Sequence, residues 1–299
     1  MKKILISAAN GTIMPELIRY LKKSFYVIGI DNNEIGLAKK YCDEFYKSPN
    51  GNDIRFIKFL ESVGAKVDMI FLFVDEELEI VSKNFNRLNK IQNKLILSER
   101  KTIDICNDKF KFNSFFGKFI NINLPKFKKN SKSIIKPKIG RGSKNIFITE
   151  NNNIINNFQK NNNFIVQEFV DGMEYTVDCL FDKYGKLVFS LSRERLVAQN
   201  VSIIGKTIKD KKIDSFIELI GSKLNFYGPV NVQIIIKKNK IYLIEINPRL
   251  SGSIIFSIKS SFDPIKTLFK IEKNEKYRVN ENKIKYNKSY YRFLKSISI

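Results

Sequence analysis

The chain has 299 residues, 43% of them hydrophobic, and its 53 Lys and Arg against 30 Asp and Glu give a formal net charge of +23. This length can bury one large core or two modest ones, and the scattered lysines form no long basic block, so a nucleic-acid partner is the less favoured interpretation of the charge. The sequence contains no histidine, which excludes Ser-His-Asp and Cys-His nucleophiles, imidazole general bases and zinc sites that use histidine.

The first apolar segment, KILISAA at residues 3–9, is predicted to be a buried strand and not part of a signal peptide. It is short and meets Asn10-Gly11 where a cleavage region should follow. No apolar run approaches the ~20 residues that cross a bilayer, so we expect no membrane segment. The three cysteines, Cys42, Cys106 and Cys179, form no CxxC pair and are expected to be reduced residues of a cytoplasmic protein.

Strand and helix patterns alternate over the first third of the chain. Strands are predicted at 3–9, 26–30, 67–74 and 94–98, and helices at 13–23, 53–64 and 76–92. This alternation predicts a parallel, doubly wound sheet. The turn after the first strand lacks G-x-G-x-x-G, so NAD binding with Asp31 is a minor alternative, and Asp31 is equally explained as a helix cap or turn residue.

The pattern changes after residue 107, where residues 107–116 are predicted to form a short amphipathic helix and 123–133 a basic connection. Residues 133–148 are predicted to form a strand, a basic glycine-bearing loop and a second strand. The loop contains Gly140 and Gly142, and the basic residues around it are Lys136, Lys138, Arg141 and Lys144. Its backbone N–H groups are suited to wrapping phosphate oxygens, and a hairpin turn that is basic by chance is the alternative.

Two further segments carry polar residues in strand patterns. Residues 164–182 read as a strand, a break at Asp171-Gly172, and a second strand near whose start Glu174 could accept hydrogen bonds from ribose hydroxyls; a solvated strand start is the alternative for Glu174. Residues 186–197 alternate strictly, which places Arg193 and Arg195 on one face and Glu194 on the other. Surface charge is the alternative for these arginines.

Residues 227–250 are predicted to form a hairpin of two apolar strands that turns at Lys238-Asn239. Gln233 lies on the first strand, while Glu245 and Asn247, two residues apart on the second, point to the same side. A buried carboxylate is costly without a cation, and Mg²⁺ prefers oxygen ligands, so these three residues are candidate magnesium ligands. Arg249 continues the alternation and is placed to hold a phosphoryl group or a substrate carboxylate.

Five segments in order, DK (108–109), IIKPKIGRGS, VQEFVDGMEYTVD, GPVNVQ and YLIEINPRLSGS, resemble the ATP-grasp superfamily, within it the carbamoyl-phosphate-synthase-like carboxylate-amine ligase branch. The resemblance implies an α/β and α+β fold. Residues 1–107 would form a Rossmann-like parallel-sheet preATP-grasp domain, and 108–299 an ATP-grasp domain with antiparallel sheets. The lid of the latter, around 118–170, is expected to be shortened.

The resemblance also implies the ligands and the residues that bind them. It implies ATP and Mg²⁺, with Mn²⁺ as a substitute, and adds Arg195 to Arg249 as a catalytic residue. Magnesium would be bound by Gln233, Glu245 and Asn247. ATP would be bound through its phosphates, adenine and ribose by Lys109, Lys136, Gly140, Arg141, Gly142, Ser143, Gln167, Glu168, Phe169, Val170 and Glu174.

The implied activity is an ATP-dependent ligase that activates a carboxylate as an acyl phosphate and couples it to an amine or similar nucleophile. The expected partners are these small molecules and a second copy of the chain in a homodimer. The alternative is a nucleotide-binding protein without ligase activity. It is motivated by the shortened lid and by residues 197–207, which lack the acidic residue that relatives often have in a substrate loop.

Overall fold

A computed structural model describes residues 1–128, 130–140, 145–199, 201–273 and 279–293. The first part alternates strands and helices: β1 (Lys2–Ile6), α1 (Met14–Leu21), β2 (Phe25–Asp31), α2 (Ala38–Tyr41), β3 (Glu44–Lys47), α3 (Arg55–Gly64), β4 (Met69–Phe71), α4 (Asp75–Lys83) and α5 (Arg100–Asn107). Among the described residues the four strands form one parallel sheet in the order β3-β2-β1-β4. The predicted doubly wound parallel sheet is confirmed.

Three details of this sheet differ from the sequence prediction. The strand predicted at 94–98 is wrong, because only a bridge between Ile70 and Leu95 joins this segment to β4. The helix predicted at 76–92 is too long: it ends at Lys83, where the Asn84 side-chain amide donates to the Ile80 carbonyl at 2.9 Å and competes with the next helical turn. The short, half-exposed strand β3 was not predicted.

The two faces of the parallel sheet are buried in different cores. Leu5 on β1 lies in a core with residues of α3 and α4, whereas its neighbours Ile4 and Ile6 point to the other side. That second core also contains residues from 250–284, such as Phe262 and Leu268. The sheet is therefore packed against the C-terminal part of the chain as well as its own helices.

The second part begins with α6 (Lys109–Phe116), followed by β5 (Ser133–Pro137), β6 (Phe147–Thr149), α7 (Asn152–Gln159), β7 (Phe164–Glu168), β8 (Met173–Phe181), β9 (Leu187–Gln199), β10 (Val201–Ile208), α8 (Lys211–Gly221), β11 (Gly228–Lys237), β12 (Lys240–Asn247), α9 (Ile254–Lys259), α10 (Pro264–Glu272) and β13 (Ser289–Tyr291). In the described parts of the chain these strands form two antiparallel sheets, β6-β5-β7 and β12-β11-β8-β9-β10-β13. The expected antiparallel sheets are confirmed.

The larger sheet has one apolar face and one face that is polar in its middle. Val177 and Cys179 on β8, with Val232 on β11, point to the side that α6 and α8 cover. The intervening residues Asp178 and Asn231 are opposite each other on the other side. The polar side chains of the candidate site are carried by this second face.

The hairpin of β11 and β12 turns at Lys238 and Asn239, as predicted. Both residues have positive φ, 48° and 63°, which is the backbone of a type I′ turn and suits the twist of the two strands. The hairpin fixes the register in which Gln233 lies opposite Glu245. No described helix is long and apolar enough to span a bilayer.

Candidate active site

A cleft lies between the start of α4, the α5–α6 junction, the segment that follows β5, and β12. It joins residues that are far apart in the sequence. Its lining consists of Asp75, Glu76, Glu79, Cys106, Asn107, Lys109, Ile139, Gly140, Glu245 and Asn247. Four of the predicted site residues, Lys109, Gly140, Glu245 and Asn247, therefore line one cleft.

The three candidate magnesium ligands lie on one face of the hairpin. Gln233 is directly opposite Glu245, and Asn247 is two residues further along β12. The set supplies three oxygen-bearing side chains but one negative charge, and in the described residues no group of three Asp, Glu, Cys or His could hold a metal alone. Such a set suits a Mg²⁺ ion that takes its other ligands from phosphate and water.

Arg249 is joined to the N-terminal part by an ion pair that the sequence did not indicate. Its Nε and Nη2 donate to the two carboxylate oxygens of Asp75, at 2.5 and 3.1 Å, and Nη2 also donates to Asn247 Oδ1 at 3.2 Å. Burial acts to lower the pKa of Arg249, but the charges of Asp75, Glu245 and Glu76 and the hydrogen bond to Asp75 raise it above its usual value. Arg249 is thus a fixed cation beside Asn247.

Two lysines extend the cationic side of the site. Lys109 is the first residue of α6, which Asp108 caps, and its Nζ donates to the Gly140 carbonyl at 3.1 Å. Lys136 on β5 is buried, and burial lowers its pKa; Lys109 acts in the same direction, whereas Glu245 and Glu174 oppose it. The two lysines and two carboxylates are therefore close enough to influence one another.

The rest of the predicted phosphate loop is only partly described. Gly140 lies at the end of the described segment that follows β5. Arg141, Gly142 and Ser143, with Lys144, lie outside the described residues.

The segment predicted to bind adenine, Gln167 to Val170, connects the smaller sheet to the larger one. Gln167 is buried, and its Nε2 donates to the Pro125 carbonyl at 3.0 Å. The N–H groups of Glu168 and Phe169 donate to the carbonyls of Lys126 and Lys132, at 3.0 and 2.8 Å. These contacts hold the segment in place. An adenine base would therefore be bound by the polar groups of the segment that make no such contact.

Glu174 and Arg195, predicted to have separate roles, are ion-paired with each other. Arg195 Nη1 donates to Glu174 Oε1 across β8 and β9. The Arg195 Nε is buried and has no hydrogen-bond partner among the described residues. A ribose at Glu174 would therefore share this carboxylate with Arg195.

Surface charge is the wrong interpretation of Arg193, which is fully buried. It forms an ion pair with Asp178 on β8, at 2.8 Å. The sequence did not indicate Asp178 as the partner of Arg193, because alternation along a strand does not show which face of the sheet is buried. Asp75 was missed because its partner Arg249 is far along the chain.

Comparison with known proteins identifies the second part of the chain. The model of the ATP-grasp domain family matches residues 106–253. A tyramine–L-glutamate ligase of Methanocaldococcus jannaschii is 30% identical over 134 residues, which are 42% of either chain, and that of Methanocaldococcus fervens is 25% identical over 70% of this chain and 68% of its own. A carbamoyl phosphate synthase large chain of Helicobacter pylori is 25% identical over 60% of this chain but 19% of its own length.

Solved structures agree on the fold. N5-carboxyaminoimidazole synthetase of Staphylococcus aureus, complexed with ADP, has a TM-score of 0.71 at 16% identity and matches 90% of this chain and 76% of its own. L-Amino acid ligase of Bacillus licheniformis has a TM-score of 0.69 at 15% identity, over 92% of this chain and 74% of its own. At such identities the likeness concerns the fold alone. The family match shows an ATP-grasp domain at residues 106–253 of this chain.

Proposed function

We propose that the protein is an ATP-dependent ligase that activates a small-molecule carboxylate and couples it to an amine. The observation that carries the proposal is the cleft in which Lys109 and Gly140 face Glu245 and Asn247. The cleft thereby brings together a cationic group for the phosphates of ATP and oxygen ligands for a metal ion. The names of the relatives, tyramine–L-glutamate ligase and L-amino acid ligase, support the same class of reaction.

The roles of the residues follow from their positions. Lys109, Lys136 and the loop at Gly140 would hold the phosphates, the segment from Gln167 to Val170 the adenine, and Glu174 the ribose. Gln233, Glu245 and Asn247 would hold Mg²⁺, whose charge would offset the charge of the phosphates. Mn²⁺ is proposed to replace it, since it also accepts oxygen ligands.

The proposed reaction has two steps. An oxygen of the substrate carboxylate attacks the γ-phosphorus of ATP, the bond to ADP breaks, and an acyl phosphate forms. The amine nitrogen then attacks the acyl carbon, phosphate leaves, and the amine loses a proton. Arg249 is placed to offset negative charge during transfer, and Asp75 holds its guanidinium in position.

One observation favours a second candidate, a nucleotide-binding protein without ligase activity. Both predicted catalytic arginines are already paired within the chain, Arg249 with Asp75 and Arg195 with Glu174. Such pairing reduces the positive charge available to a transition state. This candidate predicts ATP binding without turnover.

The deciding experiment measures ADP release with MgATP across panels of carboxylates and amines. Glu245→Ala removes the one charged candidate metal ligand, and Glu218→Ala on the exposed side of α8 is the matched control. We expect ADP release that requires both an acid and an amine, is lost in Glu245→Ala and is kept in the control. ATP binding with no turnover in any pair would establish the second candidate instead.

We also propose that the protein acts in the cytoplasm, where its three buried cysteines, Cys42, Cys106 and Cys179, would stay as free thiols. A homodimer is proposed by analogy with the family. Sedimentation equilibrium at micromolar concentration tests the dimer.

A further inference from the structure

A second cleft lies at the carboxyl ends of the parallel strands. Ala8 follows β1, Asp31 ends β2 and Val74 follows β4, and all three line this cleft. In the sheet β1 lies between β2 and β4, so the chain changes its direction across the sheet at this point. In open α/β sheets the crevice at such a point is where ligands bind. We call this cavity the second cleft, and the cavity that Lys109 and Gly140 line the first cleft.

The second cleft is rich in hydrogen-bond acceptors. Its lining includes three carboxylates and three amides, those of Asp31, Glu76, Glu77, Asn32, Asn50 and Asn52. None of the described Lys and Arg residues lines it. Such a surface repels phosphates and acyl phosphates and attracts a protonated amine. The second cleft therefore suits the amine substrate and not the nucleotide.

Glu76 is common to the two clefts. It lines the first cleft beside Asp75 and the second cleft beside Glu77. Its charge also acts on Arg249, the residue placed to offset charge during transfer. Burial acts to lower the pKa of Arg249, whereas the neighbouring carboxylates, first Asp75 and also Glu76, raise it. Glu76 thus lies at the boundary between the second cleft and the proposed transfer site.

The second step of the proposed reaction needs a group that accepts a proton. The nitrogen that has attacked the acyl carbon is positively charged, and the neutral amide forms only when this nitrogen loses a proton. The sequence contains no histidine that could accept it. Burial, with the charges of Glu245 and Asp75, raises the pKa of the Cys106 thiol in the first cleft, so this thiol stays protonated. A carboxylate is therefore the acceptor that the site offers.

The other carboxylates of the first cleft are engaged or lie away from the second cleft. Asp75 accepts from Arg249 through both of its oxygens, and Glu245 is a candidate ligand of Mg²⁺. Glu79 accepts from Lys83 Nζ one turn further along α4, and it is not among the described residues that line the second cleft. An amine that passes from the second cleft into the first therefore meets the Glu76 carboxylate.

We propose that the amine substrate binds in the second cleft and that Glu76 is the general base that takes its proton. The amine nitrogen forms a bond to the acyl carbon, and its proton moves to a carboxylate oxygen of Glu76. The bond between the acyl carbon and the phosphate oxygen breaks, and its electron pair leaves with the phosphate. Glu76 then releases the proton to water. The inference rests on the proposed ligase function.

The test compares two acceptors of the same acyl phosphate. One is the amine that supports ADP release in the ligase assay, and the other is hydroxylamine, which is unprotonated near neutral pH and loses its proton to water after it has attacked. Hydroxamate formation and ADP release are measured with each acid of the panel. We expect Glu76→Gln to lower kcat with the amine at least about a hundredfold and hydroxamate formation by less than about tenfold.

Three further variants separate catalysis from binding. Glu76→Asp keeps a carboxylate and should recover at least about tenfold of the lost kcat. Asn52→Ala removes an amide from the second cleft and should raise the KM for the amine about fivefold without lowering kcat. Glu218→Gln, on the exposed side of α8, is the control and should change the kinetics with neither acceptor. Thermal melting of each variant verifies that it is folded.

Each part of the proposal can fail separately from the ligase. Equal losses with both acceptors in Glu76→Gln, or a raised KM with unchanged kcat, would refute Glu76 as the base and leave the ligase standing. An unchanged KM for the amine in Asn52→Ala would refute the second cleft as the amine site, as would hydroxamate formation without turnover of any amine. If neither hydroxamate nor ADP forms with any acid, the ligase is refuted and the role of Glu76 with it.

Discussion

Lys136 has a buried position that favours function over stability. Burial disfavours the charged form of Lys136 and thereby lowers its pKa. We predict that Lys136→Met raises the free energy of unfolding by about 1 kcal/mol, because a buried charge is removed, and weakens ATP binding at least tenfold. Urea denaturation and calorimetry measure the two effects, and a variant that loses stability would contradict this account.

The same residue predicts a pH dependence. Between the lowered pKa of folded Lys136 and the usual value of about 10.4, the unfolded chain binds a proton that the folded protein does not. The free energy of unfolding therefore rises with pH in this window, and the cost of charging Lys136 is fully present below it. The stability difference between Lys136→Met and the unchanged protein should shrink as the pH rises, whereas a constant difference would exclude titration of Lys136.

Asp75 and Arg249 form the ion pair that connects the two parts of the chain at the site. Their side chains are 20% and 15% exposed. We predict that Asp75→Asn lowers the free energy of unfolding by about 2 kcal/mol, because a partly buried guanidinium loses its charged partner. Glu281→Gln breaks the exposed pair with Lys209 and should cost less than about 0.5 kcal/mol; equal effects of the two substitutions in urea would refute the distinction.

At the scale of elements, α6 depends on one cap. The Asp108 carboxylate accepts from the N–H groups of Phe110 and Lys111, at 2.9 and 3.1 Å. We predict that Asp108→Ala costs about 1 kcal/mol of stability and also weakens ATP binding, because Lys109 is the next residue. Asp108→Asn keeps an acceptor at the cap and should retain most of the stability and of the ATP affinity. If Asp108→Asn loses as much of both as Asp108→Ala does, the effect belongs to the ion pair of Asp108 with Lys138.

Local patterns predicted elements well where the residues concerned are close in the chain. The hairpin of β11 and β12 follows from alternation and from a turn that Asn239 adopts readily, so Gln233, Glu245 and Asn247 could be placed on one face. The segment at 94–98 has the same apolar pattern as a strand, but it makes only a bridge to β4, because pairing depends on a neighbour that the segment does not encode.

Ion-pair partners on different elements of the fold could not be predicted from the sequence. Pairing of Arg249 with Asp75, and of Arg193 with Asp178, depends on how whole elements pack. Periodicity places Arg193 and Arg195 on one face, yet only tertiary packing shows that this face is covered. The family resemblance named Glu174 and Arg195 with separate roles, but not their pairing with each other.

At the scale of the molecule, a shared core makes the two parts interdependent. Phe25 on β2 and Phe269 on α10 have ring centroids 4.9 Å apart, and Tyr20 Oη donates to Asp263 Oδ2 at 2.6 Å. We predict that Phe269→Ala costs about 3 kcal/mol of stability and that both parallel and antiparallel sheets unfold in one transition. Phe293→Ala, at a residue that is 71% exposed, should cost less than about 0.5 kcal/mol.

Hydrogen exchange of the β1 and β11 amides, followed through urea, tests this coupling. Coincident loss of protection in both strands is expected in the unchanged protein and in Phe269→Ala. Protection of β11 that outlasts that of β1 would mean that the two sheets unfold independently.

The strand β13 covers the outer edge of β10, and it follows all other described elements along the chain. During translation β10 is therefore made long before the strand that pairs with it. A nascent chain that pauses before residue 289 presents an open strand edge to its neighbours, and open edges promote aggregation. The yield of native protein in a cell should thus depend on how quickly the ribosome completes β13 after it has made β10.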